Sequence, residues 1–158
     1  MSLVGLKSFE SALRARFKMP FRFLPDVALA DIAFEAESDS VNGLFESSAL
    51  AVSDIMVDPE TLCAGTTRKV RISSEGLDRL LYDFLTEIIV VKDVESLLFR
   101  EFEVEVAPDL KSLEATLKGE PIDRDRHLLR NDVKAVTMHM FGVRREGRIW
   151  KATVVLDI

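Results

Sequence analysis

Apolar residues recur along this chain with two different periods, and the change of period divides it. Leu6, Phe9, Leu13 and Phe17 fall at helical spacing, which predicts an amphipathic helix over residues 1–19. After Pro20 comes a short apolar stretch, Phe21–Leu24, then a break at Pro25-Asp26, then strict alternation over Asp31–Glu37. These read as two short strands. In the second, Ile32, Phe34 and Ala36 point one way, while Asp31, Ala33, Glu35 and Glu37 point the other. Ser38-Asp39-Ser40 offers N-cap residues for a helix striped by Val41, Leu44, Phe45, Ser48, Val52, Ile55 and Met56, and Asp58-Pro59 ends it. Thr66–Ser73 is a further strand. A second helix, starting near Ser74, aligns Leu77, Leu80, Leu81, Phe84, Leu85 and Ile88, and Ile89–Val91 widen its apolar surface. That breadth predicts it to be the most buried helix.

From Leu97 onward the period is two. Phe102, Val104 and Val106 oppose Glu101, Glu103 and Glu105; Leu113, Ala115 and Leu117 oppose Glu114, Thr116 and Lys118. Pro121–Asp132 reads as a charged loop, and the chain closes in a hairpin of Lys134–Val143 and Ile149–Ile158 about a turn through Arg145-Glu146-Gly147. Helices early and strands late predict an α+β fold: one domain over residues 20–158, an antiparallel sheet covered by two main helices, with residues 1–19 as an extra N-terminal basic helix.

A chain of 158 residues, 47% hydrophobic, suffices for a single core without metal or disulfide support. Cys63 is the only cysteine, and no apolar run approaches a membrane span, so the expectation is a soluble, cytoplasmic protein without a membrane partner. Twenty-one basic residues against 27 acidic ones argue against a broad electrostatic grip on nucleic acid. The charge is uneven: residues 1–25 hold Lys7, Arg14, Arg16, Lys18 and Arg22 against Glu10 alone. That segment is either a partner-binding or transit-type amphipathic helix, or a helix packed on the domain with a solvated basic face.

Familiar catalytic signatures are missing from the sequence: no cysteine pair for zinc, no Walker-type loop, no GxSxG and no GxGxxG. His127 sits in the charged loop, where it is the more suggestive of the two histidines. His139 lies within a strand, where a packed, hydrogen-bonded role is expected. The last strand places Asp157 opposite the apolar row Trp150, Ala152, Val154, Leu156 and Ile158, on its polar side, as Asp31 is in its own strand. Were the two strands neighbours, their carboxylates and the carboxylate of Ile158 would form a repulsive cluster unless protonated or bridged by a cation. All-oxygen ligands favour Ca²⁺ or Mg²⁺. Spacing alone favours the plainer reading, unrelated surface aspartates.

Several segments in order resemble the archease family, protein cofactors of GTP-dependent tRNA-splicing ligases of the RtcB class. They are Ala30-Asp31-Ile32-Ala33-Phe34-Glu35-Ala36, Leu44-Phe45-Glu46-Ser47-Ser48-Ala49-Leu50-Ala51, Ile55-Met56-Val57-Asp58, Leu80-Leu81-Tyr82-Asp83-Phe84-Leu85, Gly119-Glu120-Pro121, Arg126-His127, Val133-Lys134-Ala135-Val136-Thr137 and Val154-Val155-Leu156-Asp157-Ile158. The resemblance implies a metal site at Asp31, Asp157 and Ile158, holding a divalent cation (Ca²⁺, Mg²⁺ or Mn²⁺) weakly to moderately. It also implies a ligase partner that brings the GTP and RNA. Lys134 and His127 are then candidates for contact with the partner or its triphosphate. The family's His-Thr-Ala-Asp is written here Ala28-Leu29-Ala30-Asp31, and Asp26 is a candidate to compensate. Rival readings from the same residues are a stand-alone metal-dependent phosphoesterase or nuclease, and a general chaperone or RNA-binding module.

Overall fold

A computed structural model describes residues 21–24 and 31–158. The predicted N-terminal helix, Asp26 and the Ala28-Leu29 departure lie outside the described residues. The elements are β1 (Phe21–Phe23), β2 (Asp31–Ser38), α1 (Val41–Met56), a 3-10 turn (Pro59–Thr61), β3 (Thr66–Ser73), α2 (Leu77–Glu95), β4 (Leu97–Val106), β5 (Ser112–Pro121), β6 (Ala135–Glu146) and β7 (Ile149–Asp157). The fold is α+β. Its antiparallel strands form two sheets rather than one, ordered β1-β2-β7-β6 and β3-β5-β4. Among the described residues no helix is long and apolar enough to cross a membrane.

Helix α1 begins where Ser40 accepts a hydrogen bond from the Gly43 amide at 3.0 Å. It touches β2, β1 and β7 of one sheet and β4 of the other. Helix α2 also touches both sheets, yet α1 is the more buried: it hides eleven of its 16 residues and α2 only eight of its 19, the reverse of the sequence expectation. Even polar Ser47, Ser48, Ser53 and Asp54 are buried in α1. Ser48 Oγ satisfies itself by donating to the Leu44 carbonyl at 2.8 Å.

The free edge of β4 meets side chains where another strand would otherwise lie. Asn42 Oδ1 accepts from the Val106 amide at 2.8 Å, and Glu46 Oε2 accepts from the Val104 amide at 2.9 Å. Asn42 and Glu46 are four apart on α1, so they share a face, and the amides of Val104 and Val106 repeat with the strand period. Burial pushes the Glu46 carboxyl up from its ordinary value. Asn42→Ala leaves the Val106 amide without its acceptor and should cost about 1–2 kcal/mol, read as a lower urea midpoint at unchanged slope. On β5, Gly119 faces the bulge between Phe99 and Glu101 of β4, where a Cβ would stand 1.8 Å from the Leu98 carbonyl oxygen. Only glycine fits there without moving backbone.

The closing hairpin turns at Gly147, whose φ of +63° suits glycine. Strand β6 is less regular than its sequence period predicts. Thr137 pairs with Val155 and Gly142 with Thr153, so Met138–Phe141 together oppose Val154 alone. Met140 takes a φ of +57° within this bulge, and His139 is exposed there, contrary to the packed strand position expected from sequence.

Candidate functional site

Strand β2 starts where β7 ends, and the register sets Asp31 directly opposite Asp157. Paired residues of antiparallel strands point to the same face, with Cβ atoms roughly 4.5–5.5 Å apart. The two aspartates, separated by most of the chain, therefore share one face at one end of the sheet, and both are half-buried. On the far side of Asp157 the register partner is Ala135. The Lys134 amide donates to the Asp157 carbonyl at 2.8 Å, while the Lys134 side chain is exposed. Ile158 packs its side chain against the core, so its oxygens are what it can offer an ion.

Further along that face the charges are paired. Arg144 reaches Glu35 at 2.8 Å and Thr153 Oγ1 at 3.1 Å, and Lys151 reaches Glu146 at 2.8 Å. Among the described residues, no lysine or arginine forms an ion pair with Asp31 or Asp157. Thr137 lies one face-repeat from Ala135, and its Oγ1 is buried without a hydrogen-bond partner. Asp31 and Asp157 are thus two directly opposed carboxylates without an ion-pair partner among the described residues. Among the described residues no cluster of three or more His, Cys, Asp or Glu side chains gathers.

His127 has a different setting. Its ring is buried; Nδ1 accepts from the Asp123 amide at 2.9 Å, which leaves Nε2 to donate to Glu120 Oε1 at 2.5 Å. Both ring nitrogens are engaged within the chain, so His127 shapes the charged loop instead of facing a partner. Glu120 is the centre of that cluster. It also accepts two parallel bonds from the Arg126 guanidinium, each 2.8 Å, and one from the Cys63 amide at 3.0 Å. The Arg126 bonds foremost, with help from His127 and Cys63, hold its carboxyl well below the usual range, at about 2. Sequence reasoning quoted Gly119-Glu120-Pro121 and Arg126-His127 as separate segments and missed that they meet; a carboxylate on the strand end and a cation six residues on was the available signal.

Residues 21–158 match the model of the archease protein family (MTH1598/TM1083). This chain belongs to the archease family. The archease of Pyrococcus abyssi is 37% identical over 133 residues, 82% of this chain and 93% of that protein. That of Methanothermobacter thermautotrophicus is 38% identical over 131 residues, again 82% and 93%. The solution structure of Methanobacterium thermoautotrophicum protein 1598 superposes with a TM-score of 0.77 at 38% identity, covering 87% of this chain and 98% of that one. An archease crystal structure from Thermotoga maritima, at 18% identity and a TM-score of 0.60 over 85% and 96% of the two chains, shares the fold. Archease membership supports a role as a protein cofactor.

Proposed function

We propose that this protein activates a GTP-dependent RNA ligase of the RtcB class, promoting transfer of GMP from GTP onto the ligase and so repeated rounds of RNA joining. Family membership supports the cofactor role, and the observation that carries the reading further is the direct opposition of Asp31 and Asp157 at one end of the sheet. Asp31 and Asp157 would hold a divalent cation through carboxylate oxygens, with Ile158 as the third candidate ligand. Bound there, the cation would supply positive charge for phosphate oxygens. The chain's own part is to hold both carboxylates on one face by the β2–β7 register, and to fix the Asp157 backbone through the Lys134 amide. Lys134, exposed beside the pair, is the candidate to contact the partner or its triphosphate.

The test is multiple-turnover RNA ligation and ligase–GMP formation by cognate ligase, with and without this protein, in buffer containing Mn²⁺. Faster ligase–GMP formation and several product molecules per ligase are expected. An unchanged rate over a full titration rejects the proposal, and RNA cleavage by the protein alone with divalent metal would favour the phosphoesterase or nuclease reading instead.

A further inference from the structure

We propose that Lys92 is the positioning residue of the acidic tip, an inference that rests on the reading of Asp31 and Asp157 as the functional pair. Among the described residues Lys92 is the one buried lysine or arginine, 7% exposed in the last turn of α2. A buried ammonium is unfavourable unless its donors are occupied. Its Nζ donates to Asp132 Oδ1 at 2.5 Å, to the Val133 carbonyl at 2.7 Å, and lies 2.9 Å from Asp93 Oδ1. Two of these three partners belong to the segment that immediately precedes Lys134, whose amide binds the Asp157 carbonyl.

That segment needs such an anchor. β6 is an edge strand, and the bulge at Met138–Phe141 leaves only Ala135, Val136 and Thr137 paired with β7 at this end. Such a short, detached piece of ladder would fray without further bonds. Helix α2 supplies them from two positions: Tyr82 Oη donates to the Val136 carbonyl at 3.1 Å, and Lys92 holds Val133. The chain of contacts therefore runs from the Lys92 ammonium through the Val133 peptide to the Lys134 amide, the Asp157 backbone and the direction of its carboxylate. An apolar residue at position 92 would fill the same space but leave the buried Val133 carbonyl without a donor.

The experiment uses the full chain carrying Lys92→Met or Lys92→Gln, with amide hydrogen exchange read residue by residue and Mn²⁺ binding followed by titration calorimetry. With Lys92→Met, the Lys134 amide should exchange about tenfold faster while Phe34 and Val154, at the middle of the β2–β7 ladder, keep their protection. Mn²⁺ should bind about tenfold more weakly, the range seen when a group supporting a metal ligand is removed. Faster exchange at all three amides alike would mean that Lys92 serves stability alone, and overturns the proposal. So does unchanged exchange at Lys134. Should Lys92→Met fail to fold, Lys92→Gln, which retains a donor one atom shorter, decides by the same comparison. A parent protein that binds no Mn²⁺ rejects the metal reading of the pair, and the Lys134 exchange still decides whether Lys92 positions the tip.

Discussion

Asp31→Asn and Asp157→Asn should each weaken divalent-cation binding by more than about tenfold and bring ligase stimulation down to the level without the protein, because each removes one of the two side-chain carboxylates of the proposed site. The same substitutions should leave the metal-free protein slightly more stable, by up to about 1 kcal/mol, since like charges directly opposite on neighbouring strands repel. Loss of binding together with gained stability is the signature of a functional pair. The register places the two aspartates opposite each other, so their effects on binding should be strongly non-additive: once one is gone, the second substitution has little left to remove. Calorimetric titration with Mn²⁺ and urea unfolding in chelator-containing buffer measure both quantities on the same samples. Two variants that bind Mn²⁺ as the parent does would place the ion elsewhere.

Alternation along Asp31–Glu37 and Trp150–Ile158 was enough to assign both aspartates to polar strand faces, because side-chain direction follows from a period of two. Their meeting was conditional on β2 and β7 being neighbours, and the residues of neither strand specify that; pairing between chain segments so far apart is set by the whole core. Division into two sheets was hidden for the same reason. The bulge at Met138–Phe141 is illegible in the sequence because the residue that takes the left-handed φ is a methionine, Met140, which has no preference for it, so the strand pattern runs through without a mark. The burial of α1 exceeds its apolar stripe because Ser47, Ser53 and Asp54, which do not count toward such a stripe, are buried as well. Nothing in the sequence singles out Lys92, since a lysine in the last turn of a helix is ordinarily solvated and favoured by the helix dipole. Its burial is produced by the loop that lies over it.

The second large effect concerns Glu120, whose carboxylate holds the charged loop to the end of β5 through Arg126, His127 and the Cys63 amide. Glu120→Ala should destabilise the protein by about 3 kcal/mol, because it strands the Nε2–H of a buried histidine and the Cys63 amide, and releases a half-exposed arginine from its acceptor. At roughly 2–4 °C per kcal/mol for a domain of this size, the melting temperature should fall by about 6–12 °C. The pH dependence follows from the direction of the shift. Glu120 is held at about 2 in the folded protein against an ordinary value of 4.5, so its contribution is complete above pH 5 and fades as the pH falls from about 5 toward 2. The melting temperature of the parent should therefore approach that of Glu120→Gln over that interval, while the gap between them stays constant from pH 6 to pH 8. The same loop carries Asp132 and Val133, the partners of Lys92. Loosening it by acid should accordingly speed exchange of the Lys134 amide in the parent before the rest of the sheet opens, which ties the stability of a buried carboxylate in one corner of the loop to the geometry of the acidic pair at the sheet end.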